Sequence, residues 1–277
     1  MGLRINTNIQ ALSAQRSLGE NYRLQNQSLE RMSSGTRIVR AGDDAAGLAI
    51  SEKMKASIRS LKQATRNAND GIGMIQTAEG AMNEVSNIMV RMRELSIQAS
   101  SDTVGDQERG YINKEVQQLK TEVDRIAHTT EFNGHKLIDG SSDLLEFQIG
   151  MNNDAKNDRI VYDPAMQNVT LDALHVTDLS TVNKQASQEN LEKLDFAINK
   201  LNENRSGLGA LQNRLQSTIN NLSYYTENLS AANSRIRDTD MAEESTNLVR
   251  QNILSQANVA VLGQANSNPQ LALKLLT

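Results

Sequence analysis

Apolar residues recur at alternating intervals of three and four along most of this chain, the spacing that lines up side chains on one face of a helix. From Leu61 the alternation passes through Ala64, Ala68, Gly71, Ile75, Ala78, Met82, Val85, Met89, Met92 and Ser96 to Ala99, and only Gly71 and Ser96 depart from apolar character. The pattern predicts an unbroken helix over 61–99, roughly 58 Å long at about 1.5 Å per residue. A polar break at Ser100–Asp106 follows, and then Ile112, Val116, Leu119, Val123 and Ile126 mark a second helix that folds back on the first. Leu194, Leu201, Leu208, Leu215, Leu222, Leu229 and Ile236 recur every seven residues, supported by Leu191, Ile198 and Ile219. A narrow apolar seam must be buried against a partner, and the first and third stripes lie far apart in the chain. The expected fold is therefore mainly α: an elongated antiparallel bundle of long helices with coiled-coil character.

One stretch changes period. Leu145, Phe147 and Ile149 alternate with polar residues, Ile160 and Tyr162 follow, and Gly150–Asp158 between them is rich in Asn and Asp. This predicts a β-hairpin, expected to cap the bundle. The segment Asn168–Ser187 reads as short and polar, with little room for a further domain. Helical spacing returns more loosely at the ends, with Ile5, Ile9, Leu12, Leu18, Tyr22, Leu29 and Met32 at one and Met241, Leu248, Val249, Ile253, Ala257, Ala260, Val261 and Leu262 at the other. Leu271, Leu273, Leu275 and Leu276 close the chain. Isolated helices of this kind are marginal in water, so each end is expected to order on finding a partner.

Composition narrows the function. The 277 residues include no Cys, no Trp, only Pro164 and Pro269, and 3% aromatics, a poor supply for a ligand pocket or a compact enzyme core. Sparse proline permits long helices. The net charge of −4 argues against a nucleic-acid partner. Arg4, Arg16, Arg23, Arg31, Arg37 and Arg40 outnumber Glu20 and Glu30 near the start, but that segment is rich in Asn, Gln and Ser rather than membrane-seeking side chains. No apolar run approaches the length of a membrane span, so no membrane insertion is expected, and no apolar core of a cleavable signal is evident.

Candidate chemistry is thin. His128, His135 and His175 share no ligand spacing, and no metal, cofactor or catalytic residue is expected. Gly71-Ile72-Gly73 opens like a dinucleotide fingerprint but has no preceding strand and reads as helix interior. Asn152, Asp154, Asn157 and Asp158 could face a hard cation, yet a calcium loop's Gly and distal Glu are missing, and a hairpin turn is the simpler account. Met74, Met82, Met89 and Met92 read as bundle core rather than a binding groove. Asp43-Asp44, with no His nearby, reads as a polar connector.

Several stretches together resemble the bacterial flagellins: Leu3–Ile9, Arg31–Gly35 with Arg37-Ile38, Ala41–Ile50, Arg66–Gly71, Gln76–Gly80, Phe132–Gly134, Phe147–Gly150, Ser234–Glu243 and Gln264–Asn266. The resemblance implies a structural subunit, not an enzyme, that polymerises into an extracellular flagellar filament for swimming motility. It implies paired terminal segments, 1–40 and 236–277, as the inner tube, 41–56 as a spoke connector, and 57–176 with 177–235 as the outer tube, without the outer insertions of larger members. Self-assembly would fall to Ile5, Ile9, Leu12, Leu248, Leu262, Leu273, Leu275 and Leu276. Further implied partners are an export chaperone on the C-terminal segment, the flagellar type III export apparatus that passes the unfolded chain, the filament cap at the distal tip and the hook-filament junction proteins. A junction protein of the same superfamily is the alternative identity. Arg91, Leu95 and Glu115 match the motif by which many members meet a vertebrate innate receptor, and they could equally serve subunit contacts.

Overall fold

The computed structural model describes residues 7–274, with side chains as far as Ser267. In chain order they form α1 (Ile9–Ser34), α2 (Ala45–Ala99), α3 (Asp106–Thr129), β1 (Glu131–Phe132), β2 (His135–Lys136), β3 (Leu145–Gln148), β4 (Arg159–Tyr162), α4 (Lys184–Arg237) and α5 (Met241–Lys274). The expectation of a helix bundle with a small β region holds. The chain divides into two compact units, Ser57–Thr226 and the combination of Met1–Ala56 with Glu227–Thr277.

In the unit Ser57–Thr226 the apolar seam is the core. Every seam position of α2 from Leu61 to Ala99 is buried, and it meets Ile112, Val116 and Val123 of α3 and Leu194, Leu201, Leu208 and Leu215 of α4. Ion pairs from Arg91 to Glu115 (3.0 Å) and from Arg93 to Asp195 (2.7 Å) tie α2 to both neighbours. α4 runs antiparallel to α2: Lys184, at its start, pairs with Asp102 just beyond the end of α2 (2.7 Å). All four core methionines, Met74, Met82, Met89 and Met92, are buried.

The two departures from the seam have separate causes. A Cβ on Gly71 would stand 3.1 Å from the Phe147 ring, so glycine admits the hairpin's aromatic side chain at that level. The buried Ser96 hydroxyl donates to the Met92 carbonyl at 2.9 Å, which satisfies it inside the helix. α2 ends where Arg109 reaches back, its Nε donating to the Ala99 carbonyl (2.9 Å) and Nη2 to that of Ser101 (3.0 Å), so helix-end acceptors are satisfied by a side chain.

The expected hairpin is β3–β4, antiparallel, with Phe147 opposite Ile160 and Leu145 opposite Tyr162. It does not cap the bundle. It lies along the flank of α2, where Asn67 Nδ2 donates to the Gln148 carbonyl at 3.0 Å and Phe147 covers Gly71. Tyr162 is buried and donates to the Leu137 carbonyl (2.7 Å), and burial pushes its phenol well above the ordinary range. A second, two-residue hairpin, β1–β2, turns through Asn133 (φ 50°) and Gly134 (φ 82°). This Asn-Gly turn is a recognised hairpin signal.

The segment 168–187 differs most from expectation. Val169, Leu174, Val176 and Leu179 are at most 2% exposed and belong to the core. Its polar backbone is held by one face of α3: Asn113 Oδ1 accepts from Thr181 N (3.0 Å), Gln117 Nε2 donates to the Leu179 carbonyl (2.9 Å), and Lys120 donates to that of Thr177. Side chains three and four apart on a helix can thus satisfy an irregular, turn-rich strap that has no strand partner.

Candidate assembly surface

In the other unit, α1 and α5 pack along one another, and the most deeply buried side chains between them are small or polar. On α1 the fully buried positions are Ala14, Asn21 and Ser28, seven apart. On α5 the facing positions are Glu244, Gln251, Asn258 and Ala265, again seven apart and buried or half-buried. Hydrogen bonds fix an antiparallel register: Asn8 Nδ2 donates to the Ala265 carbonyl (2.7 Å), Asn21 Nδ2 to that of Gln251 (3.0 Å), and Gln25 Nε2 to Asn252 Oδ1 (2.6 Å). At the far end Arg31 stands 3.9 Å from the Glu244 carboxylate.

Many of the large apolar side chains face away from this seam, while Leu18, Met32, Leu248 and Leu262 are half-buried. Ile9, Leu12, Tyr22 and Leu29 on α1, and Val249, Ile253, Leu254, Val259 and Val261 on α5, are 45–63% exposed. Between Gln251 and Ser267 α5 carries no charged residue. Covering the exposed half of such a side chain is worth about 1 kcal/mol, whereas fully buried Ala, Ser and Asn with a few half-buried Leu and Met give the seam little apolar burial. The pair is inverted relative to an ordinary two-helix coil, whose apolar stripe faces inward.

Of the residues expected to drive self-assembly, Ile9 and Leu12 lie on this outer surface. Leu248 and Leu262 are half-buried on the α5 side of the internal seam. Ile5, Leu275 and Leu276 lie outside the described residues, as does the side chain of Leu273. Asn8, Asn21, Gln25 and Asn252, which set the register, are not marked by apolar spacing. Asn21 belongs to the seven-residue recurrence of small and polar residues, which is invisible to a search for apolar periodicity.

The two breaks that bound this helix pair are joined. α1 ends at Gly35 in the left-handed region (φ 68°), and Thr36 bridges Asp238. Arg37 N donates to the Arg237 carbonyl (2.6 Å) and Thr239 N to that of Gly35 (3.1 Å). Asp43 Oδ2 accepts from the Arg40 amide (2.9 Å) and the Val39 amide (3.1 Å), and these backbone donors, Arg40 first, hold its carboxyl below the usual range. Asp44 Oδ1 accepts from Gly47 N (2.8 Å). The paired aspartates are thus turn and helix-start acceptors, and 45–56 of the expected connector are already part of α2.

Arg91 and Glu115 are exposed and bonded to each other, while Leu95 is 2% exposed and packed in the core, so the solvent-facing part of that motif is the charged pair alone. Among the described residues no group of three His, Cys, Asp or Glu side chains is arranged to hold a metal ion. Asp154 accepts from Lys156 N (2.9 Å) and Asn157 Nδ2 (2.5 Å), which lowers its pKa and commits the carboxylate to the hairpin turn.

An α-helical chain whose terminal helices turn apolar side chains outward belongs to the class of proteins completed by neighbours in an assembly. Residues 5–143 match the bacterial flagellin N-terminal helical region, and residues 191–276 match the bacterial flagellin C-terminal helical region. The flagellin of Halalkalibacterium halodurans is 47% identical, with 98% of this chain and 99% of that protein covered. The flagellar filament 33 kDa core protein of Treponema phagedenis is 41% identical over 98% of this chain and 99% of its own. The crystal structure of Bacillus cereus flagellin superposes with a TM-score of 0.51 at 31% identity, covering 61% of this chain and 94% of that one. The chain belongs to the bacterial flagellins and is a structural subunit of the flagellar filament.

Proposed function

We propose that copies of this subunit join through the α1–α5 pair, with Ile9 and Leu12 of one helix and Val249, Ile253 and Leu254 of the other as principal contacts. The outward apolar surface of that pair carries the reading: its most buried positions are small or polar, and many of its large side chains await cover. The chain crosses the export apparatus unfolded, without catalytic chemistry of its own, and its ends order when they meet other copies beneath the cap at the distal tip of an extracellular filament. Two properties support this route: no disulfide can tie the chain, and the seam alone buries too little apolar surface to make the ends independently stable. An export chaperone covers α5 beforehand, and Arg91 with Glu115 forms the patch open to a vertebrate receptor on the free subunit.

The test is a double substitution, Val249→Asn with Ile253→Asn, in the full chain. The monomer is expected to keep its helicity by circular dichroism and to form no filaments under the electron microscope. Long filaments from that variant would overturn the assignment.

A further inference from the structure

Asn133 and Gly134 form the only Asn-Gly pair in the chain. They are the two loop residues of the β1–β2 hairpin, between Phe132 and His135, which pair across it, and both are exposed. Glycine has no Cβ to shield its backbone nitrogen, so after an asparagine that nitrogen can attack the neighbouring side-chain amide. In that reaction the Gly134 nitrogen gives up its proton to solvent base and bonds to Asn133 Cγ, ammonia leaves, and a cyclic imide closes. Water then opens the imide at either carbonyl. One product has aspartate in place of the asparagine. In the other the main chain runs through the former side-chain carboxyl and is longer by one methylene. Water is the only co-reactant consumed, and ammonia is the only by-product.

The folded hairpin blocks the first step. φ is 50° at Asn133 and 82° at Gly134, the mirror image of a type I turn, in which ψ of the first loop residue is about 30°. At that ψ the Gly134 nitrogen lies nearly opposite the Asn133 Cβ about the Cα–C bond, whereas ring closure needs the two nearly eclipsed. Rotating ψ far enough to bring them together undoes the turn and parts Phe132 from His135. The turn is also tied to the core. Leu137 and Ile138 directly follow β2 and are fully buried, Leu137 N donates to the Thr130 carbonyl (3.2 Å), and the Leu137 carbonyl accepts from the Tyr162 hydroxyl (2.7 Å).

We propose that Asn133–Gly134 is a modification site gated by folding, spared in the folded unit and deamidated when the chain is held unfolded. The two products then differ in fate. Aspartate followed by glycine suits the same turn. The lengthened backbone does not, because a two-residue loop fixes the register, and the added methylene displaces β2 together with the buried Leu137 and Ile138. The hairpin thereby disfavours chains that stayed unfolded long enough to acquire that linkage. All of this takes place within one chain and is independent of the α1–α5 contact.

The full chain is incubated at mildly alkaline pH, folded in buffer or unfolded in guanidinium chloride, and the peptide carrying Asn133 is followed by mass spectrometry. Conversion of its amide to acid is expected to run at least tenfold faster in the unfolded chain, which corresponds to a hairpin-opening cost of about 1.4 kcal/mol. In the unfolded chain Asn133 should also outpace Asn233, whose neighbour Ser234 has a Cβ. Equal rates in the folded and unfolded chain, or no conversion at Asn133 in either, overturn the gating. Aged chains are then refolded, and the isoaspartyl form is separated from the aspartyl one by chromatography. Asn133→Asp reports the effect of charge alone and should keep the parent's urea midpoint, read by the near-ultraviolet signal of the buried Tyr162. The isoaspartyl chain should unfold at lower urea, and one as stable as Asn133→Asp overturns the difference in fate.

Discussion

Replacing Met89 by Glu tests the seam on which the fold of Ser57–Thr226 depends, and Val90→Glu one residue later is its control. Met89 is fully buried at the centre of the α2 stripe, whereas Val90 is 44% exposed on the outer face. Losing a buried Met side chain forfeits about 1.5–3 kcal/mol of apolar transfer energy. Burying a carboxyl without a partner adds about 1–3 kcal/mol even in its neutral form. The sum, about 2.5–6 kcal/mol, is a large part of the roughly 5–15 kcal/mol that holds a typical domain. At the exposed site the change should stay within about 0.5 kcal/mol. A natural reporter exists: of the five tyrosines only Tyr162 is buried, and its near-ultraviolet circular dichroism follows the packing of this unit. Urea titrations of the monomer should show Met89→Glu unfolding at much lower denaturant, with Val90→Glu close to the parent. A buried carboxyl has its folded-state pKa raised, so the penalty should be greatest above that pKa and ease as pH falls through it. Equal midpoints for the two variants would refute the register of the seam.

Gly71→Val should destabilise the same unit by about 1–3 kcal/mol, because its side chain enters the space of the Phe147 ring, and Phe147→Ala should relieve part of that cost in a double-mutant cycle. His175→Gly should raise the thermal midpoint of that unit, since His175 holds φ at 55° and glycine removes the strain of about 1 kcal/mol, less the lost contact with Phe196. Arg109→Met should cost about 1–3 kcal/mol by leaving the Ala99 and Ser101 carbonyls without their donor, read by the same urea titration. Asp43 is held below the usual carboxylate range, so its stabilisation is present above the unfolded pKa and fades as pH falls through the folded one. Asp43→Asn should flatten the acid dependence of amide exchange at Val39 and Arg40.

Periodicity located α2, α3 and α4 because each buries a continuous stripe of aliphatic and methionine side chains, and burial of apolar area is the main driving force that sequence spacing reports. It failed where other forces set the structure. At 168–187 the core residues Val169, Leu174, Val176 and Leu179 follow no regular period, since the strap runs through successive turns and part of its backbone is satisfied by Asn113, Gln117 and Lys120 from a distant helix. In α1 and α5 the apolar residues marked helices correctly, but the most buried positions of the internal seam are taken by small and hydrogen-bonding side chains, and only some apolar ones, such as Leu248 and Leu262, lie half-buried there. Leu95 fits a surface motif by its letters, yet α2 turns it into the core.

The sequence by itself determined that this protein would be long helices with one hairpin, without disulfides, and its ordered motifs resembled one family. Heptad spacing, proline placement and Asn-Gly turns are local rules, and local rules survive without knowledge of the partner surface. Only the tertiary structure decided which face of each helix is inside. Whether Leu12 and Ile253 face a neighbour helix or solvent depends on whether Asn21 reaches Gln251 across the chain, a contact spanning 230 residues that no local pattern encodes. That contact leaves Leu12 and Ile253 exposed on the outer faces of α1 and α5.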